Sequence, residues 1–243
     1  MKILVTNDDG IYSPGIFSLA QVAAEFGEVL VMAPDVEQSS MGQAITSGRP
    51  ITYKKSPIHF EGIEAYRVAG TPADCVALGL HLFESIDLVL SGINIGANLG
   101  NSAWHSGTLS AARQAVLFGV RGIALSVSVG NDEPDFTLLE PFVKKALNEV
   151  ITEEHKLLNI NFPQHPTGDI DWTSQSVRQY DGRILANENP MGKEHFWFTV
   201  VPIEPEERDS DRWAVKHGKT SITPMVLNLT DQNYLNKKHV KNS

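Results

Sequence analysis

Lys2-Ile3-Leu4-Val5-Thr6-Asn7-Asp8-Asp9-Gly10, continued by Ser13-Pro14-Gly15 and closed by Val29-Leu30-Val31-Met32-Ala33, is the stretch that settles the fold class. Ile3 to Val5 is a short apolar run of the kind buried on both faces. Ser13 and Pro14 then supply an N-cap and a proline at the first helical position. Ile16, Leu19, Ala20, Ala23 and Phe26 recur at helical spacing before Gly27 stops the helix. The second strand, Val29 to Ala33, is apolar throughout, as a sheet covered on both sides requires, so the unit reads as βαβ with parallel strands.

The same rhythm continues outward. Pro34 to Arg49 is polar, and extended stretches near Ile51 to Tyr53 and Ala65 to Val68 suggest a small excursion around residues 40–68. Thr71-Pro72-Ala73-Asp74 opens a helix running to about Phe83, with Thr71 as N-cap and Asp74 placed to close a capping box. Asp87 to Ser91 is a strand, Thr108 to Phe118 a helix stopped by Gly119, and a glycine-rich loop lies between them. Ile123 to Val127, a helix from about Leu138 to Val150, and Leu157 to Phe162 complete a doubly wound, mainly parallel α/β sheet, a Rossmann-like core over residues 1–163.

After Pro163 the pattern changes. Residues 164–243 show no strong helix and several strand-like runs, among them Phe196 to Val201 and Ser221 to Thr223, and read as a strand-rich C-terminal extension completing the fold. Trp172, Trp197 and Trp213 lie there, either covering a sheet edge or forming an arm that pairs with another chain.

Composition bounds the function. With 243 residues, 42% of them apolar, the chain can build a sizeable core. A net charge of −9 disfavours attraction to a nucleic-acid duplex or an anionic membrane, yet a bound cation can reverse the sign of a local site. Cys75 is the single cysteine, which rules out an intrachain disulfide and a thiolate metal cluster. No run approaches the roughly 20 apolar residues of a membrane span. Neither does the N-terminus resemble a signal peptide, so a cytoplasmic protein is expected.

The chemistry is expected where loops leave the carboxyl ends of the strands. Asp8 and Asp9 stand at the end of the first strand, and adjacent acids repel unless a cation is close. Ser39-Ser40-Met41-Gly42 follows the second strand, and Gly92-Ile93-Asn94-Ile95-Gly96-Ala97-Asn98-Leu99-Gly100 follows the Asp87 to Ser91 strand. Carboxylate, hydroxyl and amide oxygens are hard donors, so the expected ion is Mg²⁺ or Mn²⁺, with Ca²⁺ also able to bind, at one site per chain. Ser106-Gly107-Thr108 begins the next helix, where free amides and the positive end of the dipole favour a phosphate group.

Other phosphate motifs fail. Gly92, Gly96 and Gly100 are spaced four apart, unlike the dinucleotide fingerprint, and Gly218-Lys219-Thr220 has Trp213 where a P-loop needs glycine. No zincin histidine pair or serine-hydrolase elbow is present, and His105 is the histidine placed beside the phosphate turn.

Met1 to Ile11, Pro34 to Gly42, Gly70 to Cys75, Ser91-Gly92-Ile93-Asn94, Asn98-Leu99-Gly100, Ser106-Gly107-Thr108 and Ser221-Ile222-Thr223-Pro224 resemble, in order, the motifs of the SurE family of stationary-phase survival nucleotidases. The resemblance implies a metal-dependent phosphoric monoester hydrolase of the 5′-nucleotidase class, acting on nucleoside 5′- and 3′-monophosphates; short polyphosphate is a further substrate to screen beside them. It implies Asp8, Asp9, Ser39 and Asn94 as metal ligands and Asn98, Ser106, Gly107 and Thr108 as the phosphate site. It also implies a homodimer or homotetramer formed through the C-terminal arm. The chain departs from the family at His105, usually aromatic, and at Ile95, usually basic, which bears on nucleotide preference.

The expected mechanism is attack by a water beside the cation, with Asp8 or Asp9 accepting its proton. Two other classes fit an early acidic pair. A magnesium-binding receiver domain needs about half this length and an aspartate where Ser91 to Asn94 stands. A nucleoside hydrolase would release free base instead of phosphate.

Overall fold

The computed structural model describes residues 1–130, 132–177, 180–202 and 207–240. Eleven strands are described: β1 (Lys2–Thr6), β2 (Glu28–Pro34), β3 (Tyr53–Lys55), β4 (Glu64–Val68), β5 (Leu88–Ile95), β6 (Arg121–Val127), β7 (Leu157–Phe162), β8 (Ile170–Trp172), β9 (Tyr180–Glu188), β10 (Glu194–Pro202) and β11 (Thr220–Pro224). The α-helices are α1 (Pro14–Ala24), α2 (Pro72–Leu82), α3 (Gly107–Leu117), α4 (Phe136–Val150), α5 (Asp211–Lys216) and α6 (Gln232–Val240). None of these is long and apolar enough to cross a membrane.

Nine strands form one sheet in the order β3-β4-β2-β1-β5-β6-β7-β11-β8. β4, β2, β1, β5, β6 and β7 run parallel, while β3 and β11 are antiparallel to their neighbours β4 and β7. The chain winds one way from β1 through β2 and the other way from β5, so the strand order reverses at β1. That reversal opens a crevice at the carboxyl ends of β1 and β5.

Helices cover both faces. Ile16, Leu19 and Ala23 of α1 and Leu139, Val143 and Leu147 of α4 pack with Ile3, Val5, Leu88 and Leu90 in the larger core. Val76 of α2 and Ala111 and Ala115 of α3 pack with Leu4, Met32 and Val89 on the opposite face. Ser13 caps α1, accepting from the Gly15 N–H at 3.2 Å, and Pro14 fills the first helical turn as the sequence predicts. Thr71 and Asp74 close the expected capping box at α2.

Three features differ from the sequence expectation. The excursion near residues 40–68 returns to the main sheet, because β4 finds β2 as a parallel partner and carries β3 to the edge. β5 runs on to Ile95 instead of ending at Ser91, with its register to β6 shifting between Ser91 and Asn94. The last third holds two short helices, α5 and α6, too brief for periodicity to reveal. From the same third, β11 and β8 extend the sheet, while β9 and β10 form a separate antiparallel ribbon.

Candidate active site

Asn7 builds the first loop. Its side-chain amide donates to the Gly10 carbonyl at 3.0 Å and its Oδ1 accepts from the Gly10 N–H at 3.1 Å. Gly10 sits at φ +91°, a conformation that glycine takes without steric cost. With Asn7 closing this turn and Ser13 capping α1, neither Asp8 nor Asp9 is needed for local structure, and both carboxylates are left to the crevice.

Asp8 is buried against the N-terminus of α3. Its Oδ1 accepts the Thr108 hydroxyl at 2.7 Å, and the Thr108 main chain also hydrogen-bonds to it. The Gly107 Cα packs directly on this carboxylate: a Cβ there would stand 2.8 Å from both Cβ and Oδ2 of Asp8. Asp9 is less enclosed, and its Oδ2 accepts from the Ile95 N–H at 3.3 Å.

Burial raises the Asp8 carboxyl above its ordinary range, against the donations from Thr108. Burial, and after it the charge of Asp8, pushes Asp9 up to about 7. Glu37, on the loop after β2, adds to both effects. Two acids held where ionisation is penalised are the electrostatic signature of a site completed by a cation.

A cavity of about 760 Å³ opens over these groups, lined in part by Asp8, Ser39, Asn94, Asn98 and Ser106. These five of the predicted residues are therefore brought together on one wall. Asp9, Gly107 and Thr108 do not line it: Asp9 accepts from the Ile95 N–H, and Gly107 and Thr108 pack on Asp8. Ser39 donates its hydroxyl to Glu37 at 2.6 Å and keeps oxygen lone pairs, and Asn94 spends its side-chain nitrogen on the Gly96 carbonyl, leaving its amide oxygen. Carboxylate, hydroxyl and amide oxygens fit a hard divalent ion. Among the described residues no group of three or more His, Cys, Asp or Glu side chains offers a different metal cage.

The glycine-rich loop ends in a 3-10 turn over Gly100–Trp104, and His105 then leads into α3. Ser106 caps that helix by accepting from the Leu109 N–H at 3.0 Å, which leaves its own proton for a ligand. His105 lines the cavity, and its carbonyl accepts from the Gly42 N–H at 2.9 Å, joining the loop after β2 to the turn that opens α3.

Sequence reasoning missed three further wall residues, Ser102 of the 3-10 turn, Phe198 of β10 and Arg212 of α5, which no local motif marks. Asp211 places α5: fully buried, its Oδ2 accepts from the Gly100 N–H at 2.7 Å and its Oδ1 from the Ser176 N–H at 3.1 Å. At the end of β5 the chain presents Ser91 and Asn94, with no aspartate of the kind a receiver domain phosphorylates.

The same order of motifs recurs in known proteins. A family model described as "Survival protein SurE" matches residues 3–182. The "5'-nucleotidase SurE 1" of Thermus thermophilus is 41% identical over 239 residues, covering 97% of this chain and 95% of its own. The "5'-nucleotidase SurE" of Deinococcus radiodurans is 39% identical, covering 94% and 88%. The crystal structure of the SurE protein from Aquifex aeolicus superposes with a TM-score of 0.84 at 33% identity, over 100% of both chains. An acidic turn after β1, an oxygen-lined crevice where the strand order reverses, and agreement along nearly the whole chain together make this protein a member of the SurE family.

Proposed function

We propose that the chain is a divalent-cation-dependent phosphatase that hydrolyses nucleoside 5′- and 3′-monophosphates to nucleoside and phosphate. One observation carries the reading: the buried Asp8 carboxylate and the N-terminus of α3 meet at one cavity, so a cation and a phosphate group can be held side by side. The relatives named as 5′-nucleotidases support the substrate class.

In this reading Asp8, Asp9, Ser39 and Asn94 hold one ion, Mg²⁺ or Mn²⁺ in preference to Ca²⁺. When bound, the ion supplies Lewis acidity at the phosphoryl oxygens. Ser106 donates its hydroxyl to the phosphate, the Gly107 and Thr108 main chain adds the positive helix end, and Asn98 flanks the group. In this reading Asp9 accepts a proton from the attacking water, while Asp8 stays fixed by Thr108.

The ribbon of β9 and β10 exposes Ile184, Leu185, Phe196 and Trp197, more than half of each side chain facing solvent. Such an arm suits a homodimer or homotetramer. A cytoplasmic location accords with the lone, buried Cys75. Short polyphosphate presents the same terminal oxyanion and is a further substrate to test.

A phosphate-release screen of nucleoside monophosphates and short polyphosphates, with Mg²⁺ or Mn²⁺ and with chelator, tests the proposal. Cation-dependent release from monophosphates is expected. Release of free base, or phosphate release that chelator leaves intact, overturns it.

A further inference from the structure

β7 carries two carboxamides where an inner strand ordinarily carries only apolar side chains. Leu158, Ile160 and Phe162 feed the core shared with α1 and α4, and Leu157 packs beside Leu109 of α3 on the other face. Asn159 and Asn161 alternate onto that second face and are 2% and 0% exposed. A buried amide is costly unless its hydrogen-bonding groups are met. The Asn159 Oδ1 has no partner among the described residues, and its Nδ2 is the group that makes a bond.

Both amides hold one residue of the glycine-rich loop. Asn161 Oδ1 accepts from the Asn98 N–H at 2.8 Å, and its Nδ2 donates to the Asn98 carbonyl at 3.3 Å. Asn159 Nδ2 donates to the same carbonyl at 2.8 Å. Gly96 and Gly100 flank Asn98 with φ +117° and +51°; the Val127 carbonyl holds the Gly96 N–H and Asp211 the Gly100 N–H, and the two amides hold the main chain between them. The Asn98 side chain then donates to Ser126 Oγ at 2.8 Å and to Thr108 Oγ1 at 3.2 Å. Thr108 has one proton to give, and with Asn98 as donor to its oxygen that proton goes to Asp8.

We propose that Asn159 and Asn161 are positioning residues of the phosphatase site. They clamp the Asn98 main chain, which fixes the direction of donation from Asn98 through Thr108 to Asp8 and preorganises the phosphate turn. The activity part of this inference rests on the phosphatase reading, whereas the clamp itself does not.

Asn161→Leu keeps the branched shape and removes both bonds to Asn98. Exchange of the Asn98 amide hydrogen, followed by NMR, should speed about tenfold or more in a folded variant. kcat on a nucleoside monophosphate should fall about tenfold or more. Asn159→Ser, which loses one donor, should shift both readouts in the same direction by less. Val143→Ala, in the core beneath α4, is the stability control: its melting temperature should drop while kcat holds within about twofold. Wild-type exchange at Asn98 and wild-type kcat in folded Asn161→Leu would overturn the proposal, as would a kcat loss in Val143→Ala that matches its loss of melting temperature. Should Asn161→Leu fail to fold, Asn159→Ser decides on the same two measurements. A wild-type protein that releases no phosphate sinks the phosphatase reading, and exchange at Asn98 still decides the clamp.

Discussion

Thr108, one hundred residues downstream of Asp8, donates its hydroxyl to that carboxylate at 2.7 Å inside the protein. A hydrogen bond to a buried charge is worth about 1.5–3 kcal/mol, so Thr108→Val should lower kcat/KM by roughly 10- to 100-fold, whereas Thr108→Ser should retain most activity. Steady-state phosphate release on the two variants checks this. Wild-type activity in Thr108→Val together with a loss in Thr108→Ser would show that the γ-methyl group, and not the hydroxyl, matters.

Gly107→Ala tests the close approach of α3 to the acid. The added methyl would stand 2.8 Å from Oδ2 of Asp8. Asp8 or the helix must move, and a shift of about 1 Å at such a position can cost on the order of 100-fold in rate. The expected outcome is a folded protein with severely reduced turnover and weakened cation binding by calorimetry.

The Asp9 carboxyl, pushed up to about 7 first by burial and then by Asp8, gives a pH dependence of definite sign. Its folded pKa lies above the unfolded value of about 3.9, so the folded state binds the proton more tightly. The stability from that proton is complete below the unfolded pKa and is lost as pH rises through the folded one. Metal-free protein in chelator should therefore lose melting temperature between about pH 4 and 7, and Asp9→Asn should lose less. Added Mn²⁺ should raise the melting temperature more at pH 8 than at pH 5, where the site must first shed its proton. Differential scanning fluorimetry reads both effects.

The α2 cap is a stability test away from the chemistry. Thr71 Oγ1 accepts from the Asp74 N–H at 3.1 Å, and Thr71→Ala should cost about 1 kcal/mol in urea unfolding. Burial acts most strongly on Asp74 and in the upward direction, but donations from Thr46 and Thr71 outweigh it and hold the carboxyl below its usual range. Its contribution is present above the unfolded pKa and lost as pH falls through the folded value, so the gap between wild type and Asp74→Ala should narrow in acid.

Short-range patterns made much of this legible. Lys2 to Ala33 announced a parallel βαβ unit, and Asp8, Asp9 and Ser106 to Thr108 stood out because carboxylates at a strand end and hydroxyls at a helix start have local signatures. Asn7 carries no comparable signature, although its own amide makes the turn. The paired amides Asn159 and Asn161 were visible as a period-two interruption of an apolar strand, yet their partner lies 61 and 63 residues earlier and no pattern in β7 names it. Phe198 and Arg212 reach the cavity only through long-range docking, which periodicity does not encode.

The bond from Asp211 to the Gly100 N–H sets a timetable for the protein's birth. On the ribosome the acidic turn and the turn that opens α3 emerge first, and the aspartate that fastens the loop between them leaves the exit tunnel only after β6, α4 and β7 have been made. A nascent chain stalled before α5 would carry all eight proposed ligands and still lack the carboxylate that fastens the loop holding them.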